Sequence, residues 1–191
     1  MSQNLIFKIT ALSVSIVAIL VGGFVWWSQR EPEMGGDFQL THLDSPWKFS
    51  DNVKPLSILY VGYAKCPDVC PLSLSHSGQA FQKLDAKELE QVQLIFLSVD
   101  HANDTAENVA TYAKQFFPAF IGLTGDKDSI DKTVDLFGAS YMVDKDPKSY
   151  LGYSIAHTDR LFFLDRDGHV IDSIQNPRSA ELILSKIRSH L

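Results

Sequence analysis

The two cysteines of this chain stand four residues apart, in Cys66-Pro67-Asp68-Val69-Cys70-Pro71. An apolar run, Leu56 to Tyr63, precedes the motif and reads as a buried strand. A stretch with helical spacing of apolar residues, Leu72 to Leu89, follows it. Strand, turn and helix opening at a cysteine is an arrangement that presents a thiolate. The amides at a helix N-terminus carry partial positive charge and lower a thiol pKa there. If the helix begins within the motif, Cys66 and Cys70 lie on one face, about one turn apart. Two sulfurs so placed can clamp a metal ion or close into a disulfide. A purely structural disulfide is the weaker reading, because so short a loop offers little entropic stabilisation.

Before the motif, Ile9 to Trp27 carries no charge. That length matches the roughly 20 apolar residues needed to cross a bilayer core. Phe24, Trp26 and Trp27 sit at one end, as an interfacial aromatic belt does. The apolar core is too long for a cleaved signal peptide, and no small-x-small site follows it. We expect residues 1–28 to be a membrane anchor, 29–36 a linker and 37–191 one folded domain. Lys8 on one side and Arg30 on the other leave the positive-inside count near a tie. The formal net charge is −6 and there is no long Lys/Arg cluster, which argues against nucleic-acid binding.

Within the domain, Phe38 to Leu43 and Trp47 to Phe49 read as a hairpin around Asp44-Ser45-Pro46. Gln93 to Val99 reads as a strand buried on both faces. Asp104, with Glu107 three residues on, reads as the N-cap of a helix over Ala106 to Phe116. Phe120 to Leu123 is a short strand, Ser129 to Phe137 a helix closed by Gly138, and Ser140 to Val143 a further strand. Asp144 to Gly152 is polar and reads as a loop. Arg160 to Asp165 and His169 to Ile174 flank Asp167-Gly168 as a hairpin, and Pro177 to His190 closes the chain as a helix. The order β-α-β-α-β-α, then β-β-α, predicts an α/β thioredoxin-like fold: a central mixed sheet flanked by helices.

A third metal ligand has to come from six histidines. His42 sits in the N-terminal hairpin, His76 points away from the cysteines by helical angle, and His169 and His190 read as solvated. His101 follows the Gln93–Val99 strand at its C-terminal end, where sites form in parallel sheets. His157, in Ile155-Ala156-His157-Thr158 just before the Leu161 to Leu164 strand, is the best candidate. In a thioredoxin-like fold that segment abuts the cysteine turn. Two thiolates and one imidazole suit copper or zinc. A structural zinc site takes four ligands, whereas three suffice for Cu(I), or for Cu(II) with one added ligand. Met142 reads as a core residue.

Val61-Gly62-Tyr63-Ala64-Lys65 and the cysteine motif resemble the G-[FY]-T-x-C-P-D-x-C-P signature of the Sco/SenC family of copper-binding assembly proteins. Ser98-Val99-Asp100 with Asp104-Thr105, Gly122-Leu123-Thr124-Gly125, Ile155-Ala156-His157-Thr158 and Asp165-x-Asp167-Gly168 resemble further family motifs in order. The resemblance implies a thioredoxin-like domain held outside the cytoplasm by one helix in the inner membrane. It implies Cys66, Cys70 and His157 as copper ligands. It also implies a role in building the dinuclear copper-A centre of cytochrome c oxidase subunit II, with an upstream copper donor. His101, Asn103, Ala64 and Ala156 depart from the family pattern. Ala156 removes a carboxylate beside His157, and His101 is a candidate to compensate. The same cysteines as a redox-active pair could instead reduce a partner's disulfide, although no proline stands before Leu161 as in thioredoxins. A thiol peroxidase is disfavoured because Tyr63 occupies the threonine position of T-x-x-C.

Overall fold

The structure is a computed structural model that describes residues 19–23 and 34–191. It divides the chain into two units, residues 1–33 and 34–191. In the first unit, residues 19–23 are helical; the rest of the expected span over Ile9 to Trp27 lies outside the described residues. Among the described residues no helix is long and apolar enough to cross a membrane.

The second unit is built on two strands with no exposed face. Strand β3 (Leu56–Gly62) and strand β4 (Val92–Ser98) are buried at every position, as continuous apolar runs in parallel pairing require. They pair in parallel from Leu56↔Val92 to Gly62↔Ser98. Strand β5 (Ile121–Leu123) extends the sheet in parallel beyond β4. On the other side of β3, β8 (Arg160–Leu164) and β9 (Val170–Gln175) add antiparallel, giving the order β5-β4-β3-β8-β9. Phe96, Phe162 and Phe163 are fully buried in this sheet, each contributing about 1.5–3 kcal/mol of hydrophobic stabilisation. The N-terminal hairpin, β1 (Gln39–His42) and β2 (Ser45–Lys48), docks Phe38 and Trp47 with Phe49 and Phe137. Its turn falls at Leu43-Asp44, with Leu43 at φ 52°, one residue before the expected place.

The helices flank this sheet: α1 (Val69–Phe81), α2 (Ala86–Gln91), α3 (Ala106–Phe116), α4 (Lys127–Leu136) and α5 (Ala180–His190). The single helix expected over Leu72 to Leu89 is two helices. Asp85 accepts from Glu88 N while Glu88 accepts from Asp85 N, and this capping box starts α2 afresh. Asp126 caps α4 two residues earlier than expected. Helix α3 is capped by Thr105, whose hydroxyl accepts from Asn108 N; Asp104 is turned inward for another purpose.

The strand expected over Ser140 to Val143 and the loop expected over Asp144 to Gly152 are present to within two residues. The second departure is an added strand over Tyr153–His157, which takes in the segment read as the loop carrying His157. Tyr141–Lys145 (β6) and Tyr153–His157 (β7) pair antiparallel as a two-stranded ribbon separate from the main sheet. His157 therefore sits at the end of a strand, opposite Tyr141. Met142 is 59 % exposed on this ribbon rather than in the core. Its cross-strand partner Ala156 is exposed as well.

Candidate metal centre

The turn after β3 brings the first sulfur to the C-terminal edge of the sheet, and the first turn of α1 brings the second. Helix α1 does begin within the motif, at Val69, so Cys66 precedes it and Cys70 lies in its first turn. Both cysteines are free and buried. Cys70 Sγ lies 3.2 Å from His157 Nε2. The ligand atoms of Cys66, Cys70 and His157 all fall within 4.8 Å of one another, and among the described residues no other His, Cys, Asp and Glu group of three or more does so.

Several features hold this geometry. Gly62 ends β3 directly beneath the second sulfur: a Cβ there would lie 2.6 Å from Cys70 Sγ and 3.0 Å from the Phe96 ring. The rings of Tyr60 and Tyr63 meet His157 edge-on at 6.2 and 6.0 Å, forming an aromatic slot for the imidazole. Asp104, 6 % exposed, accepts from Ala64 N (2.7 Å) and Ser98 Oγ (2.6 Å), bracing the turn before Cys66. The His157 ribbon is tied to the body by three tyrosine hydroxyls. Tyr153 donates to the buried Asp100, Tyr141 to Asp131 (2.6 Å) and Tyr150 to the Lys65 carbonyl (3.2 Å).

The electrostatics split the two thiols. Cys66 is pulled down to about 4, chiefly by a hydrogen bond from Cys70, against the opposing effect of burial. His157 and the backbone amides of Cys70 and Asp68 also favour its thiolate, the last two being the amides around the start of α1. Burial pushes Cys70 well above the ordinary thiol range, and its bond to Cys66 adds to that shift. The pair is thus a thiolate and a thiol sharing one proton. Tyr63 is pushed up to about 12 by burial and by the neighbouring Cys66 charge.

The other histidines are elsewhere. His42 Nδ1 lies 2.9 Å from the Gly122 carbonyl, and His76 is half-buried on α1. His101 is exposed and lines a groove with Lys127, Asp131 and Tyr141, outside the Cys–Cys–His cluster. His169 and His190, expected to be solvated, are both half-buried. The His169 amide donates to Asp165 (2.9 Å), and His190 Nε2 lies 2.9 Å from Asp172 Oδ2. Strand alternation settles the position of Ala156: Ile155 faces the core and position 156 faces solvent, so its side chain and that of His157 leave opposite faces of β7. A carboxylate at 156 would point away from the imidazole, and no compensating residue is required.

Comparison with known proteins agrees with this geometry. A family model described as SCO1/SenC matches residues 28–191. Protein SCO2, mitochondrial, of Saccharomyces cerevisiae is 31 % identical over 159 residues, covering 83 % of this chain and 53 % of that protein. The chain thus spans about half the length of the first curated relatives it matches. Among solved structures, apo Sco1 from Thermus thermophilus superposes with a TM-score of 0.75 at 28 % identity, covering 85 % of this chain and 94 % of that one. Bradyrhizobium japonicum ScoI with copper bound superposes with a TM-score of 0.72 at 29 % identity, covering 83 % and 99 %. The thioredoxin-like arrangement expected from the element order is the fold of these Sco structures. The chain belongs to the SCO1/SenC family.

Proposed function

We propose that this protein carries copper on Cys66, Cys70 and His157 and serves assembly of the copper-A centre of cytochrome c oxidase. The observation that carries this reading is the convergence of two sulfurs and one imidazole nitrogen within 4.8 Å. Soft thiolates with imidazole suit copper. Metal–ligand bonds of about 2.0–2.3 Å at trigonal angles put ligand atoms about 3.8–4.0 Å apart. The 3.2 Å contact between Cys70 Sγ and His157 Nε2 then opens by roughly half an ångström on loading. Loading displaces the shared thiol proton, so affinity falls as pH falls. The copper-bound relative from Bradyrhizobium japonicum supports the same cargo. In this reading residues 1–28 anchor the protein in the inner membrane, with the domain on its outer side. A donor supplies copper, and oxidase subunit II or a similar acceptor takes it by ligand exchange.

One observation favours a second reading. The Cys66 thiolate is already formed near neutral pH. It could attack a partner disulfide, after which Cys70 would resolve the mixed disulfide, leaving the partner reduced and this pair oxidised. One experiment separates the two. Reduced protein is given one equivalent of Cu(II) and its visible spectrum is recorded. Intense thiolate-to-copper charge transfer that His157→Ala abolishes supports the carrier. Copper-independent turnover of a disulfide substrate, undiminished in the same variant, supports the reductant and counts against the carrier.

A further inference from the structure

Close to the site, a carboxylate that holds no metal joins the chain segments that would. Asp159 lies two residues past His157, in the connection from β7 to β8, and its side chain is 13 % exposed. In the sequence it stands in the run Thr158-Asp159-Arg160. In the structure its oxygens take three bonds. Oδ1 accepts from the Tyr60 hydroxyl (2.9 Å) and the Ser73 hydroxyl (2.9 Å), and Oδ2 accepts from Arg178 Nη2 (2.5 Å). Arg178 Nη1 also donates to Ser73 Oγ (2.6 Å), closing the network.

Each partner comes from a different element. Ser73 lies three residues after Cys70 on α1, on the same side of that helix. Tyr60 is on β3, fully buried, and its ring is one wall of the His157 slot. Arg178 precedes α5 and supplies the counter-charge. The carboxylate therefore links the helix that carries Cys70 to the segment that carries His157, and holds the aromatic wall between them. A half-buried ion pair is weak as a source of net stability, but one braced by two hydroxyls fixes positions well.

We propose that Asp159 is a positioning residue for the metal centre: held by Arg178, Ser73 and Tyr60, it sets the spacing at which Cys70 and His157 reach one copper ion. This rests on the copper-carrier reading. Partners that orient metal ligands typically change affinity 10–100-fold when removed.

The test uses the full chain, reduced, as wild type, Asp159→Asn, Ser73→Ala and His157→Ala. Folding is followed by circular dichroism, Cu(I) affinity by competition with a chelator, and the Cu(II) centre by its visible and paramagnetic resonance spectra. Asp159→Asn is expected to stay folded, to lose about 10–100-fold in Cu(I) affinity, and to weaken the charge-transfer band that His157→Ala abolishes. Ser73→Ala, which acts on the centre through Asp159 and Arg178, moves both readouts the same way by less. If Asp159→Asn fails to fold, Ser73→Ala alone decides. Folded variants with lower melting temperatures but wild-type affinity and spectra would show a role in stability only and overturn the proposal. Wild-type protein that binds no stoichiometric copper overturns the carrier reading, and this inference with it; wild-type binding that needs His157 but not Asp159 overturns this inference alone.

Discussion

Gly62→Ala is the sharpest single perturbation of the site that leaves every ligand in place. The new Cβ would stand 2.6 Å from Cys70 Sγ and 3.0 Å from Phe96. An ordinary contact needs about 3.5–4.0 Å, so the sulfur must retreat by about 1 Å. It has little room, because Cys70 and Phe96 are both fully buried. Overpacking of this kind costs about 1–3 kcal/mol. With a urea dependence of about 2 kcal/mol per molar, the unfolding midpoint falls by about 0.5–1.5 M. The displaced sulfur also leaves its 3.2 Å approach to His157, so Cu(I) affinity of the folded protein falls about tenfold or more. Gly78→Ala is the control. Its Cβ would meet the Phe116 carbonyl oxygen at 2.3 Å, where α1 meets the end of α3. It should lower the midpoint without changing copper affinity. Chemical unfolding and chelator competition on both variants make the comparison. A Gly62→Ala protein with wild-type midpoint and affinity would refute the placement of Cys70 against β3.

Thiol reactivity tests the split between the cysteines. In reduced, metal-free protein, alkylation of Cys66 should run at a nearly constant rate from about pH 6 to 8 and slow only toward pH 4, while Cys70 stays protected. Cys70→Ala removes the largest cause of that depression and should move the Cys66 profile up toward the ordinary value of about 8.5; mass spectrometry of the alkylated chain reads both. Far from the site, Asp172 is held down to about 2, chiefly by Lys186 and then by His190. Because the folded value lies below the unfolded one, its contribution is present above about pH 4 and is lost as pH falls toward 2. Asp172→Asn should therefore cost up to about 1 kcal/mol at pH 7 and almost nothing at pH 2, as read by urea unfolding at both values.

The parts of this fold that depend on local periodicity were legible in the sequence. The apolar runs at Leu56 to Tyr63 and Gln93 to Val99 announce buried parallel strands, and those strands form the centre of the sheet. The cysteine pair and His157 could be named because spacing and family resemblance pointed to the same residues, and the three converge. What stayed hidden depends on long-range contact. Asp104 looks like a helix cap because a carboxylate before an apolar run usually is one; only the fold shows Thr105 doing that work while Asp104 braces the turn at Ala64. Gly62 reads as one more strand residue until the sulfur of Cys70 is placed against it. The first strand of the ribbon was legible over Ser140 to Val143, but Tyr153–His157 is too polar to announce itself as its partner, and in the ribbon the two form Met142 lies on the surface and not in the expected core. Asp159 carries no sequence signal, since all its partners are distant in the chain.

The central claim is that Cys66, Cys70 and His157 bind one copper ion together. X-ray absorption at the copper edge, on reduced protein loaded with one equivalent of Cu(I), reads that coordination directly. The account predicts two sulfur neighbours and one imidazole nitrogen, with the nitrogen lost in His157→Ala and one sulfur lost in Cys70→Ala. A first shell of oxygen and nitrogen alone, or one that neither substitution alters, would contradict it.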